Sequence, residues 1–350
     1  DIDQTPKAIF EKYSQNNGDR IMNLIQTSFQ IRGLADLVIY FIQRVESIIS
    51  NDGFFGLITT SSINKGDSRE YGLAKIVLKG KLIYVEKRVK WPGIANTYVA
   101  LITFVKNKNT KINQFLEKER VNYINSYFDT DPYGELILHE LIENKNSAFI
   151  GSNFNGPGFI VSEEFAKKVK RDNPLYNKVL FENLSGIDLN SEPVIKANRW
   201  IICFWEMPLN QVKKFETCFE HVLKEVKPFR SKNKNKKLKE KWWIFERTRK
   251  PLYKSIKNNE RVLVRTQTSK HNAFAFVPNK YIFDQRIIVF SNESYLDFIV
   301  LSSSIHEVFV WKYAGLVGGT TINYSPKSVL YPFPFPKNVD SLNKELVKCF

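Results

Sequence analysis

The stretch RVLVRTQTSKHNAFAFVP, residues 261–278, holds two apolar runs separated by a polar cluster. Residues 262–264 and 273–277 have the composition of short strands, which predicts a hairpin. Between them lies the polar tip, residues 265–272, whose members include no acid: Arg265, Thr266, Gln267, Thr268, Ser269, Lys270, His271 and Asn272. A cationic, hydrogen-bonding tip held by strands is typical of a recognition loop. On these residues alone, an ordinary solvated hairpin loop is the simpler interpretation.

The charge of the chain favours a polyanionic partner. The 350 residues carry a formal net charge of +16. Residues 224–257 contribute +11 of it, through 14 Lys or Arg and three acidic residues (14 − 3). Cations facing a duplex displace counterions and give affinity that does not depend on sequence. We therefore expect nucleic acid as the partner before a membrane surface.

Aromatic residues interleave with this basic run. Because Trp242, Trp243, Phe245 and Tyr253 lie among the cations, part of the run must pack against the protein. Leu238, Trp242 and Phe245 fall at helical spacing, which predicts a helix with a cationic outer side.

Several classes of protein are disfavoured. No apolar run reaches the roughly 18 residues that a membrane-spanning helix needs, and no signal peptide opens the sequence. Cys203, Cys218 and Cys349 lack metal-site spacing, and only four histidines are present. We expect no metal site, no membrane and a reducing, cytoplasmic setting. The first residue is Asp1 rather than methionine, which predicts a piece of a longer chain or a processed one.

The first third of the chain reads as α/β. Helical patterns at residues 21–29 and 34–49 precede apolar strands at 54–60, 82–89 and 97–105, which predicts half of a doubly wound sheet. The last two strands, joined by a short turn, are expected to pair antiparallel. Residues 106–146 are charged and helical in character, as in a linker, and long helices are predicted at 209–229 and 294–313.

Two motifs are missing from this α/β part. No glycine-rich turn follows a first strand, and no Asn-Pro-Pro-aromatic tetrapeptide occurs in the chain. A nucleotide-type cofactor pocket needs the first of these. We therefore expect no bound cofactor and no catalytic residue in this chain.

Ten stretches, taken together and in order, resemble type IIL restriction–modification proteins of the MmeI kind and their relatives among adenine-N6 DNA methyltransferases. They include GFFGLITTSSINKGDSRE (53–70), VKWPGIANTYVALITFVK (89–106), FIGSNFNGPGFIVSEEFAKK (149–168), NRWIICFWEMPL (198–209), residues 261–278, LSSSIHEVFVWKYAG (301–315) and TTINYSPKSVLYPFPFP (320–336).

The resemblance implies a partial Rossmann-like methyltransferase sheet followed by an α+β target recognition domain. Residues 1–125 would be the second half of the methyltransferase core, 126–147 a linker, 148–336 the recognition domain and 337–350 a tail. The family's S-adenosylmethionine and Asn-Pro-Pro-Tyr motifs would lie upstream, in the partner half of the parent chain. The parent would be a site-specific adenine methyltransferase that binds double-stranded DNA, and the present chain alone would be inactive.

The resemblance also places residues of the first part at DNA. Trp91 occupies the position of an aromatic side chain that stacks on a flipped adenine. The alternative is that Trp91 plugs the sheet edge beside Pro92. Asn64 and Lys65 follow a strand end, where ligands bind open α/β sheets. They are expected to contact the DNA backbone, with plain solvent exposure as the alternative.

The recognition region supplies further candidates. For base readout in the major groove we expect Arg265, Gln267, Lys270, His271 and Asn272. For phosphate contacts we expect Arg230, Lys232, Lys234, Lys236 and Lys237. Core positions are expected for Trp200, Trp205, Trp242 and Trp311, and His306 is expected to be structural.

Two other functions stay open. A stand-alone basic module for nucleic acid or protein would need no catalysis. An enzyme with unrecognised chemistry would need a nucleophile or metal cluster, which four isolated histidines and scattered cysteines do not supply.

Overall fold

A computed structural model describes residues 27–31, 35–94, 97–135, 138–191, 194–233, 235–317 and 320–336. They form two units, one from Asp1–His139 and Phe309–Val329, the other from Glu140–Val308 and Leu330–Phe350. This division differs from the predicted domains, because residues 126–139 and 309–329 belong to the first unit. The predicted helix at 21–29 lies mostly outside the described residues. Within the described part, no helix is both long and apolar enough to cross a membrane.

The first unit is built on a five-stranded sheet in the order β1-β3-β2-β4-β5. Its elements are α1 (Val38–Ile48), β1 (Phe54–Thr60), α2 (66–77, with a π-helical turn at Arg69–Leu73), β2 (Lys81–Lys90), β3 (Tyr98–Val105), β4 (Gln114–Leu116) and β5 (Glu119–Val121). Ile39 and Ile42 of α1 pack in the same core as Ile102 and Phe104 of β3. The apolar stripe of α1 therefore covers the sheet.

The pairing of these strands confirms one of the predictions made from the sequence. β2 and β3 are antiparallel neighbours, as predicted. β3 also pairs antiparallel with β1, and β4 runs parallel to β2. The β4–β5 hairpin contradicts the prediction of a helical linker over residues 106–146, because the short alternating run at Gln114–Val121 completes the sheet edge.

The second unit holds two four-stranded sheets, in the orders β12-β10-β14-β6 and β13-β8-β9-β7. Their strands are β6 (Ala148–Ile150), β7 (Ile160–Val161), β8 (Leu180–Leu184), β9 (Arg199–Ile202), β10 (Arg261–Thr266), β11 (Thr268–Ser269), β12 (Ala275–Pro278), β13 (Ile282–Phe283) and β14 (Ile287–Phe290), with β11 outside both sheets. The predicted fold class, α/β followed by α+β, is confirmed.

Short helices surround these sheets. They are α3 (Glu163–Asp172), α4 (Gly186–Ser191), α5 (Leu209–Val212), α6 (Glu216–Glu225), α7 (Lys227–Ser231), α8 (Lys236–Glu240), α9 (Lys250–Ser255) and α10 (Tyr295–Ser302). The predicted helix through Leu238, Trp242 and Phe245 ends at Glu240, although all three side chains are buried as expected. The predicted helix at 209–229 is three helices.

The last elements are α11 (Ser304–Tyr313), β15 (Gly315–Val317), β16 (Thr321–Asn323) and α12 (Pro326–Val329). The predicted helix at 294–313 is broken, because Ser303 adopts an extended ψ of 156° between α10 and α11. The boundary between the two units falls inside α11, after Val308.

Candidate nucleic-acid interface

The hairpin predicted from residues 261–278 is present. β10 pairs antiparallel with β12, from Arg261 opposite Pro278 to Val264 opposite Ala275. β14 pairs on the other side of β10, with Leu263 opposite Phe290. β10 is therefore an inner strand, and all its residues after Arg261 are buried. The polar tip begins inside the sheet rather than beyond it.

Arg265 contradicts the prediction of direct base readout, because only 1% of its surface is exposed. Its Nη1 donates a hydrogen bond of 2.6 Å to Oδ1 of Asn272, and its Nε donates to the carbonyl of Thr266 at 3.2 Å. The guanidinium carbon lies 5.0 Å from the centre of the Phe274 ring. A buried guanidinium needs such acceptors and ring contacts to offset its lost hydration.

Asn272 links the polar tip to the end of α10. Its Nδ2 donates to the carbonyl of Leu301 at 3.0 Å, while its Oδ1 accepts from Arg265. Both ends of the amide are thus used within the protein, and the side chain is half-buried. This geometry assigns Asn272 a supporting role in place of the predicted base contact.

Lys270 and His271 are the exposed members of the polar tip, and Gln267 is half-exposed. The backbone N–H of His271 donates to Oγ of Ser269 at 3.1 Å, which holds the turn of the tip. The backbone N–H of Gln267 donates to the carbonyl of Arg286 at 2.7 Å. Of the five predicted base-reading residues, these three have side chains available to a partner.

Two residues that sequence reasoning missed lie beside Gln267. Gln285 and Arg286 are exposed in the turn between β13 and β14. The bond between Gln267 and the carbonyl of Arg286 brings that turn to the tip. Nineteen positions separate Gln267 from Arg286 in the sequence, and only the pairing of β10 with β14 joins them. No local pattern could have found them.

His306 is structural, as predicted. It is fully buried, with its ring 4.5 Å from the Phe333 ring and 6.2 Å from the Phe274 ring, measured between centroids. Burial lowers the pKa of His306 to about 3, and the positive charge of Arg265 lowers it further in the same direction. A neutral imidazole is therefore part of the packing around Arg265.

Arg230 contradicts the prediction of a phosphate contact. It is fully buried, and its Nη1 and Nη2 each donate a hydrogen bond of 2.6 Å, to the carbonyls of Ile244 and Phe154 respectively. Burial lowers the pKa of Arg230 to about 10. The side chain ties together three segments of the core and has no access to a partner.

The other predicted phosphate contacts are on the surface. Lys232, Lys236 and Lys237 are exposed, the last two in α8. Lys236 lies 3.8 Å from the carboxylate of Glu240, one helical turn away, and both are solvated. Lys234 lies outside the described residues. Exposed ammonium groups on flexible stems suit phosphate contacts, which need little fixed geometry.

Trp91 follows the last residue of β2 and is 38% exposed. Its backbone N–H donates to the carbonyl of Thr97 at 3.0 Å, which closes the turn towards β3. The indole lies over Gly93, where an added Cβ would come within 2.5 Å of its Nε1. The turn thus holds a partly exposed aromatic face, and the predicted stacking role stays a prediction.

Asn64 and Lys65 have structural contacts where DNA-backbone contacts were predicted. Nδ2 of the buried Asn64 donates to the carbonyl of Tyr127 at 2.9 Å. Nζ of Lys65 donates to the carbonyls of Trp311 and Lys312 at 2.9 and 2.7 Å, in the last turn of α11. Burial, followed by the nearby charge of Arg69, lowers the pKa of Lys65 to about 8. Both side chains hold segments of the first unit together.

The four tryptophans expected in the core divide into two groups. Trp242 is buried, as predicted. Trp200 and Trp205 are half-exposed, packing one side against the core of the second unit. Trp311 is also half-exposed.

Comparisons with known proteins agree with this architecture. The family model described as the MmeI target recognition domain matches residues 140–337. Among solved structures, the type IIL restriction–modification enzyme MmeI in complex with DNA is similar, with a TM-score of 0.70 and 18% identity. That alignment covers 89% of this chain and 43% of MmeI.

The type IIG restriction endonuclease BpuSI is a more distant match, with a TM-score of 0.36 and 12% identity over 91% of this chain and 44% of BpuSI. The chain thus spans less than half of either enzyme. No curated protein matches the chain. Because the family model covers more than half of the residues, the chain belongs to the MmeI target recognition domain family.

Proposed function

We propose that this chain binds double-stranded DNA at a specific sequence, as the recognition part of a larger restriction–modification protein. The observation that carries the proposal is the family match over residues 140–337 together with the exposed Lys270 and His271 on the β10–β12 hairpin. The family is described as a target recognition domain. A hairpin with a cationic tip is narrow enough to enter a major groove.

The exposed side chains divide by chemistry. Gln267, Lys270 and His271, with Gln285 and Arg286 beside them, offer donors and acceptors to base edges. Arg and Lys pair with guanine O6 and N7, and Gln pairs with adenine N6 and N7. Lys232, Lys236 and Lys237 offer point charges to phosphates, which orients the protein without selecting a sequence.

The first unit would serve adenine-N6 methylation in the larger protein. Trp91 would stack on the flipped adenine, and S-adenosylmethionine would be bound by the half of the parent that is not in this chain. Phe54 and Ile58 of β1 are 50% and 60% exposed, which suits a strand that meets further protein. The chain by itself would bind DNA and leave it unmethylated.

The experiment is a binding-site selection from a random duplex library, performed with the chain and with Lys270→Ala and His271→Ala. We expect the unsubstituted chain to select a defined consensus sequence, and at least one of the two variants to select a different one. Equal affinity for heparin, RNA and duplex DNA, with no consensus, would instead mean a stand-alone basic module. Binding of S-adenosylmethionine by the isolated chain, measured by calorimetry, would contradict the proposed division between the two halves.

A further inference from the structure

The second unit holds a cleft of about 630 Å³ that contains none of the residues proposed to touch duplex DNA. It is lined by Trp205, Tyr253, Pro251 and three lysines, Lys250, Lys254 and Lys257. Its surface is mostly apolar, while its charged groups are almost all cationic. An apolar cleft with a cationic rim suits a ligand that has a flat apolar part and negative charge.

The indole of Trp205 at this cleft is carried by a residue in the left-handed backbone conformation. Trp205 has a φ of 53°, in the left-handed region where a Cβ is disfavoured and a bulky side chain is a rare exception. The Phe181 and Tyr253 rings meet the indole edge-on, at centroid distances of 5.7 and 5.0 Å. Tyr253 is itself anchored, since its hydroxyl donates to or accepts from Ser152 at 3.0 Å. The rings and the backbone together fix a half-exposed indole.

The cationic rim comes from α9 and the turn that follows it. Lys250 and Lys254 lie one turn apart in α9, which places them on the same face, and Lys257 lies in the turn that follows the helix. Lys250 is paired with Glu206 at 2.5 Å. Lys254 and Lys257 are exposed, and residues 250–259 contain no acid. Arg249, the residue before α9, is also left-handed, with a φ of 58°. Trp205 lines the cleft and Arg249 directly precedes Lys250 of its rim; backbone strain of this kind is found at ligand sites.

We propose that this cleft binds an unpaired nucleotide of single-stranded DNA, with the base stacked on Trp205 and the phosphates held by Lys254 and Lys257. A duplex cannot occupy it in this way, because its bases are already stacked on one another. An acidic peptide would use the lysines and leave the indole without a partner. The combination of an indole with nearby cations is the chemistry of single-strand binding, and it goes beyond the proposed duplex recognition.

The test measures fluorescence anisotropy with three labelled probes: a thymidine oligonucleotide, the same strand with abasic sites, and a blunt duplex. The variants are Trp205→Leu and the double substitution Lys254→Ala/Lys257→Ala. Trp200→Leu is the matched control, because Trp200 is also half-exposed beside a lysine, Lys170 at 4.6 Å from its ring, but lies outside the cleft.

We expect Trp205→Leu to weaken binding of the thymidine strand about five-fold or more, as removal of one stacked base predicts, and to leave the abasic strand unchanged. The double lysine variant should weaken both strands, and since its residues are exposed, its fold should be intact. Duplex binding should be unchanged in both variants, and Trp200→Leu should bind every probe like the parent.

Equal binding of the thymidine and abasic strands by the parent, or equal losses in Trp205→Leu and Trp200→Leu, would overturn the stacking assignment. Tighter binding of the matching RNA strand than of DNA would overturn the DNA assignment. If the unsubstituted chain binds duplex DNA but no single strand, this inference fails while the proposed function stands. If the unsubstituted chain binds the single strand but shows no sequence preference in duplex DNA, this inference stands while the proposed function fails.

Discussion

Arg265 and Asn272, at the two ends of the polar tip, are joined by a hydrogen bond of 2.6 Å between their side chains. Asn272 extends the connection to the carbonyl of Leu301. The exposed Lys270 and His271 are thus carried on a loop whose two ends are clamped by neighbouring side chains. Arg265 is buried away from any base, but it can determine where the exposed side chains of the polar tip are placed.

Replacement of Arg265 should therefore act on both stability and recognition. Arg265→Lys keeps the charge but cannot supply both Nε and Nη1, so we expect a loss on the order of 2 kcal/mol in the free energy of unfolding. A double-mutant cycle with Asn272→Ala should give a coupling energy of about 1 kcal/mol or more, measured by denaturant unfolding. The exposed Lys270→Ala is the control, and it should leave stability unchanged. Additive effects of the first two substitutions would show that the bond does not matter.

Substitution of the exposed lysines should change the salt dependence of DNA affinity, whereas substitution of the buried Arg230 should not. The triple variant Lys232→Ala/Lys236→Ala/Lys237→Ala should reduce the slope of log affinity against log salt by about 0.9 for each phosphate that it no longer neutralises. Arg230→Ala should leave that slope intact. It should lower stability instead, because two buried carbonyls would be left without their donor at about 1–3 kcal/mol each. An unchanged slope in the triple variant would mean that these lysines do not face the duplex.

The buried His306 should make the protein sensitive to acid. Its pKa is about 3 in the folded state against about 6.5 in the unfolded chain. The unfolded chain therefore binds one more proton between these values, so stability falls as the pH falls through that window, by at most about 1.4 kcal/mol per pH unit. His306→Gln should lose this component. Unfolding free energies at pH 7, 6 and 5 test it, and parallel curves for parent and variant would contradict it.

Lys65 should add a second pH dependence, at alkaline pH. With a folded pKa of about 8, below its ordinary 10.5, it binds fewer protons in the folded state than in the unfolded one between these values. Lys65 should accordingly contribute a rise in stability with pH across that window, and Lys65→Met should lack this contribution. Cys203 and Cys218 act in the opposite direction in both proteins, because burial raises the pKa of each thiol to about 12. Measurements between pH 8 and 9.5 avoid Tyr127, whose burial raises its pKa to about 12. A rise of equal size in the variant would exclude Lys65 as its source.

The turn that carries Trp91 gives a test of the stacking proposal. On the duplex recovered by site selection, Trp91→Ala should weaken binding to a probe whose target adenine lacks a pairing partner by about 1–3 kcal/mol. Gly93→Ala should have a similar effect, since its Cβ would displace the indole that lies over it. Trp91→Phe keeps an aromatic face and should retain most of the affinity. Equal losses in Trp91→Phe and Trp91→Ala would favour the alternative, in which the indole only plugs the sheet edge.

The first three strands of the chain and the hairpin at residues 261–278 follow from local sequence. Apolar runs, polar breaks and a short turn were enough to predict β10 with β12 and the antiparallel pairing of β2 with β3. Local patterns have this power because the two-residue period of a strand and the turn residues between strands act over a few positions. The resemblance to the MmeI kind of protein likewise rested on residues that can be read in order.

Only the tertiary structure decided which polar residues face outward. Arg230 and Lys236 lie in one basic run, yet the first is buried against two carbonyls while the second is exposed. Arg265 and Lys270 differ in the same way within the polar tip. A cationic side chain has the same sequence signature whether its donors meet carbonyls or water. What separates the two cases is the set of strands and helices packed around it, and those come from distant parts of the chain.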